Sequence, residues 1–294
     1  MTNAKFAGKA AMLRSLVDSP SERRAYALRI VESETNPELL LAALRVLGEY
    51  PDSDLRPALL VRYTYCNAKG VRRDQGGVVR AAILEVLRSV LLPEDADMLV
   101  RATTTYEFLY GEAAGDLRAA GLLALNELDE TLAAYHAVRL LDDEHTSTMS
   151  GEPAVAAVRV LASQEQFLPL YGYVVRAQPG EPDVVAECLR NLVRLPNSLL
   201  PALIERYYRS ENEIELLGLF DLILGRPCWM EHIELIFGFL RDTHHHNIYR
   251  YLVNTLLTGA DEAVLECMRS MVAVERDIVK AEILREALEL RRRS

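Results

Sequence analysis

Four Val-Arg pairs recur along the chain, at Val61-Arg62, Val100-Arg101, Val138-Arg139 and Val175-Arg176, spaced by 39, 38 and 37 residues. A fifth arginine, Arg206, follows 30 residues later in LIERYYR. A guanidinium is a planar fork of donors suited to bidentate contact with carboxylate or phosphate. Tyrosines accompany the series: Tyr63, Tyr65, Tyr106, Tyr110, Tyr135, Tyr171, Tyr173, Tyr207 and Tyr208. Arginine with tyrosine is the composition of a protein-binding surface, because the ring supplies rigid contact area and the guanidinium pairs with carboxylate or stacks on the ring. The spacing therefore nominates a ladder of Arg62, Tyr63, Arg101, Tyr106, Arg139, Arg176, Arg206 and Tyr207 for an acidic peptide or helix of a partner protein. The same arginines can instead tie neighbouring repeats together through Asp or Glu. Spacing alone does not separate these two readings.

Other chemistry-bearing stretches are weaker. TTTYEFLYGEAAGD at 103–116 offers three hydroxyls that would suit a phosphate or a peptide backbone, or else cap a frayed turn. The polar interruption EHTSTMSGEP at 144–153 is the longest insertion and a natural contact loop. HHH at 244–246 invites a metal reading, but three adjacent histidines in a helix point in different directions. Cys66, Cys188, Cys228 and Cys267 are scattered and read as small apolar residues in a reducing compartment. The sequence holds no GxSxG, HExxH, glycine-rich phosphate loop or CxxC. It nominates no catalytic residue, cofactor or metal ligand set.

The elements that position these residues repeat as well. VVRAAILEVL begins at residue 78 and DLRAAGLLAL at residue 116. Related helical patterns appear at 37–50, 152–163, 181–195, 213–224, 247–257 and 280–288. They recur at intervals of roughly 30–40 residues, with another helical pattern between each pair, as in two-helix repeats. Doubled alanines, Ala42-Ala43, Ala81-Ala82, Ala119-Ala120 and Ala156-Ala157, allow close helix approach while Leu, Ile and Val fill the core. The pattern predicts an all-α, right-handed α-solenoid of seven or eight helix pairs across 1–294. A change of curvature is expected near RAQPGEP at 176–182, with 183–294 a more divergent part.

The chain resembles the HEAT repeat family, whose signature is a turn Asp, then Val-Arg, Ala and Leu along the second helix of each pair. Asp74 precedes Val79-Arg80, Ala82 and Leu87, and Asp116 precedes Leu117-Arg118, Ala120 and Leu125. Later copies drift, with Ala156 and Ala186 where the family places Arg. The resemblance implies that Arg80 pairs with Asp74 and Arg118 with Asp116. It also implies a non-enzymatic binding or scaffolding protein working through a concave face. The alternative is a nucleic-acid-acting enzyme on a HEAT-like scaffold, of the DNA-base glycosylase type.

Net charge is -10, which disfavours nucleic acid and anionic lipid. The N-terminal stretch reads as a first helix, and no segment has the length of a membrane span. A cytoplasmic location is expected.

Overall fold

The computed structural model of the chain describes residues 2–108, 111–178, 180–258 and 262–293, and Tyr110 lies outside them. Among the described residues the chain is all-helical, with eighteen α-helices, short 3-10 turns and an isolated bridge between Phe108 and Glu112. No helix among them is long and apolar enough to cross a membrane. Contacts divide the chain into two compact units, residues 1–169 and 170–294.

Unit 1 contains α1 (Thr2–Ser15), α2 (Pro20–Ser33), α3 (Pro37–Glu49), α4 (Arg56–Asn67), the single turn α5 (Gly70–Arg73), α6 (Val78–Leu87), α7 (Ala96–Thr103), α8 (Gly115–Leu128), α9 (Glu130–Leu141) and α10 (Ala154–Ser163). The division falls inside α11 (Phe167–Val175). Unit 2 continues with α12 (Pro182–Asn191), α13 (Leu200–Tyr207), α14 (Glu213–Leu224), α15 (Ile233–Asp242), α16 (His246–Thr258), α17 (Glu262–Val274) and α18 (Ile278–Arg293).

Local chemistry starts several of these helices where they begin. Asn36, Asp129 and Asn212 accept from backbone N–H groups of the first turns of α3, α9 and α14, supplying acceptors that the helices lack at that end. Pro20, Pro37 and Pro182 occupy first helical positions, where a missing N–H removes no helix bond.

In unit 1 the segments that carry the sequence echo, α3, α6, α8 and α10, pack side by side in that order, each also backed by a neighbour in sequence. In unit 2 α12, α14, α16 and α18 do the same. A helix packed on two sides buries more than one stripe. α6 accordingly buries Val79, Arg80, Ala81, Ile83, Leu84, Val86 and Leu87 and leaves Glu85 in water. Each fully buried Leu, Ile or Val stabilises by about 1.5–3 kcal/mol, so the stack supplies the core that a single pair lacks. A close approach falls at Gly218 of α14, where a Cβ would stand 2.5 Å from the Ala186 Cα of α12.

Candidate functional site

The arginine series is largely occupied with the fold. Arg62 is buried, and its Nε donates to the Val31 carbonyl at 2.6 Å. Arg139 Nη2 donates to the Thr103 carbonyl at 2.8 Å, and the Tyr207 hydroxyl donates to the Val174 carbonyl at 2.7 Å. Those three carbonyls lie in the last turns of α2, α7 and α11, where a helix has no donors of its own for them. The two guanidinium groups also bring positive charge to the negative end of a helix dipole. These contacts tie successive repeats, but through backbone carbonyls and not the Asp or Glu partners considered from sequence.

The other rungs are dispersed. Tyr63 is buried, and burial pushes its hydroxyl pKa up to about 12. Arg176 lies 3.9 Å over the Tyr173 ring, and Arg206 lies 5.6 Å over that of Tyr207. Arg101 is exposed. Of the eight nominated residues the structure brings Tyr106 and Arg139 to one cleft, of about 460 Å3, with Asp142, Asp143 and His145. There the two polar stretches singled out in the sequence meet. Phe108, 62% exposed, and Tyr106 present ring edges to His145 at 5.2 and 5.7 Å. The three threonines, by contrast, spend their hydroxyls on the end of α7. Thr103 and Thr104 donate to the Val100 carbonyl and Thr105 to that of Arg101, the capping alternative.

The arginines of the repeated segment form two buried networks. Arg80 is 1% exposed. Its Nε donates to Asp74 Oδ2 at 2.9 Å and its Nη2 to Glu107 Oε1 at 2.5 Å. Asp74 also accepts from the Val79 and Arg80 N–H groups, and Glu107 from that of Gly76. Gly76 and Gly77, at φ of 70° and 71°, make the left-handed turn that delivers Asp74 to this position. Burial opposes the Arg80 charge, but the hydrogen bonds to Glu107 and Asp74 outweigh it and raise the pKa.

Arg118 is fully buried, and the pairing with Asp116 implied by the family resemblance is corrected. Its Nη1 stands 2.8 Å from Glu112 Oε1 and its Nη2 donates to Glu112 Oε2 at 2.9 Å. Nε is 3.2 Å from Asp143 Oδ2, an ion-pair separation without hydrogen-bond alignment. The guanidinium also lies 4.1 Å over the Tyr106 ring, whose hydroxyl donates to Asp143. Asp116 is exposed in the first turn of α8 because that helix already begins at Gly115, and Glu112 takes the position of the turn acid. The signal was present in the sequence: Glu112 precedes Arg118 by six residues, as Asp74 precedes Arg80. Burial works to raise the Glu112 pKa, but Arg118 and the Ala114 and Glu107 N–H groups hold it below the ordinary value of 4.5.

A second departure from the sequence reading concerns where open surface lies. A groove of about 730 Å3 crosses α3, α6, α8 and α10, and none of the eight nominated residues lines it. Its lining includes Gly48, Ala81, Ala82, Ala119 and Ala120, with Leu41 and Leu123. Small side chains leave this space because the larger residues of the same helices point into the core. Arg45, Glu85 and Asp116 also line the groove, are exposed, and have no ion pair with another described residue. Glu152 and Arg159 complete its charged lining. The doubled alanines carried a signal for this groove as well as for helix packing.

Among the polar clusters of unit 2, the histidine run lies at a helix start, with its first two members outside the helix. Thr243, His244 and His245 precede α16, which begins at His246. Cys188 is buried and its thiol pKa is raised by that burial, which favours the unreactive thiol. Comparison with protein-family models and with curated proteins finds no match to this chain.

Proposed function

We propose that this chain is a non-enzymatic protein-binding or scaffolding protein of the right-handed, HEAT-like α-solenoid type, and that its unit 1 holds a segment of a partner protein in the α3–α6–α8–α10 groove. The observation that carries this reading is the combination of a small-residue lining with the exposed charges of Arg45, Glu85 and Asp116, which have no ion pair with another described residue. A partner helix or extended segment can bury apolar side chains over the alanines. It can also pair with Arg45, Glu85 and Asp116 without first breaking existing ion pairs. Glu85, Asp116 and Glu152 together with the net charge of -10 oppose a polyanion in the same place, which disfavours nucleic acid.

Within the proposal, the arginine and tyrosine series is mainly the framework that keeps successive repeats in register, and the binding face lies on the helices of the repeated segment. Replacing Ala82 by the photo-crosslinking residue benzoylphenylalanine and irradiating in a lysate of the source cells tests it. The expected product is a discrete crosslinked polypeptide, competed by excess wild type but not by an equally stable Glu85→Arg, Asp116→Arg variant, changed at exposed groove positions. Recovery of nucleic acid alone, or equal competition by the two proteins, contradicts the reading.

A further inference from the structure

We infer that two turns of unit 2 form a divalent-metal site of the zinc class, with Glu211, His244 and His245 as protein ligands. Glu211 lies in the turn between α13 and α14, and the two histidines lie in the turn between α15 and α16. One donor atom from each side chain falls in a cluster whose members all lie within 4.8 Å of one another. Glu211 Oε2 is 3.6 Å from His244 Nε2 and 3.9 Å from His245 Nε2. A tetrahedral zinc ion with bonds of about 2.0–2.1 Å separates neighbouring ligand atoms by about 3.3 Å. The two Glu211 separations exceed this edge by a few tenths of an ångström, and the two histidine donors, within 4.8 Å of each other, close to it by side-chain rotation in exposed turns.

The surroundings fit the same assignment. The His244 and His245 rings stack 4.2 Å apart, inclined by 33°, so the turn brings the two imidazoles together and one ring must rotate for both nitrogens to meet one ion. Thr243 Oγ1 accepts from the His245 N–H and fixes this turn. His245 Nδ1 stands 3.3 Å from Glu213 Oε1, leaving Nε2 toward Glu211. A carboxylate behind a ligating imidazole fixes its tautomer and strengthens it as a donor. Glu213 is itself held by Asn247, which donates to its other oxygen at 3.0 Å. Two carboxylates, Glu211 and Glu213, thus face the imidazoles of this turn, a donor set that a divalent cation can bridge.

His246 is the built-in contrast. Its Nε2 is 2.9 Å from Asp277 Oδ2, so the third histidine of the run faces a different acid. Two imidazole nitrogens and one carboxylate oxygen suit zinc, cobalt and nickel more than magnesium or calcium. Bound metal would join the α13–α14 turn to the α15–α16 turn, leaving the fourth position to water.

The test is isothermal titration of the metal-free full chain with zinc chloride in a non-chelating buffer, with cobalt(II) absorption as the report on geometry. Wild type should take up one zinc per chain, and cobalt should give the visible bands of a tetrahedral site. His245→Ala and Glu211→Gln should each weaken the stoichiometric event at least tenfold, and Glu213→Gln about 10–100-fold as for other outer-shell carboxylates. His246→Ala should bind as wild type. Circular dichroism confirms that each variant is folded, which these turn positions favour. Absence of a stoichiometric event in wild type overturns the assignment. So does zinc uptake that survives loss of both Glu211 and His245, or that falls equally with His246→Ala.

Discussion

Replacing Arg80 by Met removes a buried cation while keeping most of its length and apolar stem. The structure sets the size of the effect. Arg80 makes hydrogen bonds to two carboxylates that are themselves almost wholly out of water, Asp74 and Glu107. Asp74 retains the Val79 and Arg80 N–H groups in the variant, but Glu107 keeps from the protein only the 3.2 Å bond from Gly76. Stranding one partner of a buried ion pair costs about 3–5 kcal/mol, and this geometry places the loss on Glu107. For a unit of this size the melting transition should fall by roughly 6–20 °C. Urea unfolding, followed by circular dichroism and by hydrogen exchange of the α6 amides, reads both the loss and its location. A second substitution, Glu107→Gln, should return about 1–3 kcal/mol to Arg80→Met, because it removes the more poorly compensated of the two carboxylates that Arg80 served. A cost below about 1 kcal/mol for Arg80→Met, or a double variant that loses the sum of its two parts, would refute the claim that this network couples the repeats.

Gly218→Ala should destabilise unit 2 by about 1–3 kcal/mol, since the new methyl would meet the Ala186 backbone at 2.5 Å; differential scanning calorimetry reads this, and an unchanged transition contradicts the close approach. Glu112 carries the acid dependence of the second network. Its pKa is lower folded than unfolded, so its contribution is complete above the ordinary value of 4.5 and is lost as pH falls through the depressed folded value. Glu112→Gln should therefore unfold with a weaker dependence on pH below 4.5 than wild type, by urea titration at successive pH values. An unaltered acid slope would exclude Glu112 as a source of it.

The all-helical architecture was legible because alternating helical patterns recur at a regular interval and local capping residues agree with them. The pairing of Arg80 with Asp74, implied by the family resemblance, also holds in the structure. Arg118 was misassigned because the acidic residue nearest its helix, Asp116, belongs to the first exposed turn of α8, while Glu112 keeps the six-residue spacing of the preceding copy. Glu107 and Asp143 could not be read in advance, as each reaches its arginine only once the next repeat has packed. The Val-Arg periodicity was real, but periodicity does not tell a carbonyl-capping arginine from one that meets a ligand. Arg62 and Arg139 turn back onto the helix before last, and only packing places α2 and α7 within their reach. The groove was hidden for a related reason: alanine serves equally for close helix contact and for open surface, and in α6 the two roles fall on neighbours, with Ala81 buried and Ala82 half-buried.

The central claim is that the partner lies across α3, α6, α8 and α10 and not along the arginine series. Affinity capture from a lysate of the source cells tests it most directly, comparing wild type, Ala82→Trp and an Arg101→Ala, Arg139→Ala double variant, each with its thermal melt measured in parallel. The account predicts that Ala82→Trp loses a protein captured by wild type while an equally stable arginine variant keeps it. Loss by the stable arginine variant with retention by Ala82→Trp would contradict it and return the binding face to the arginine ladder.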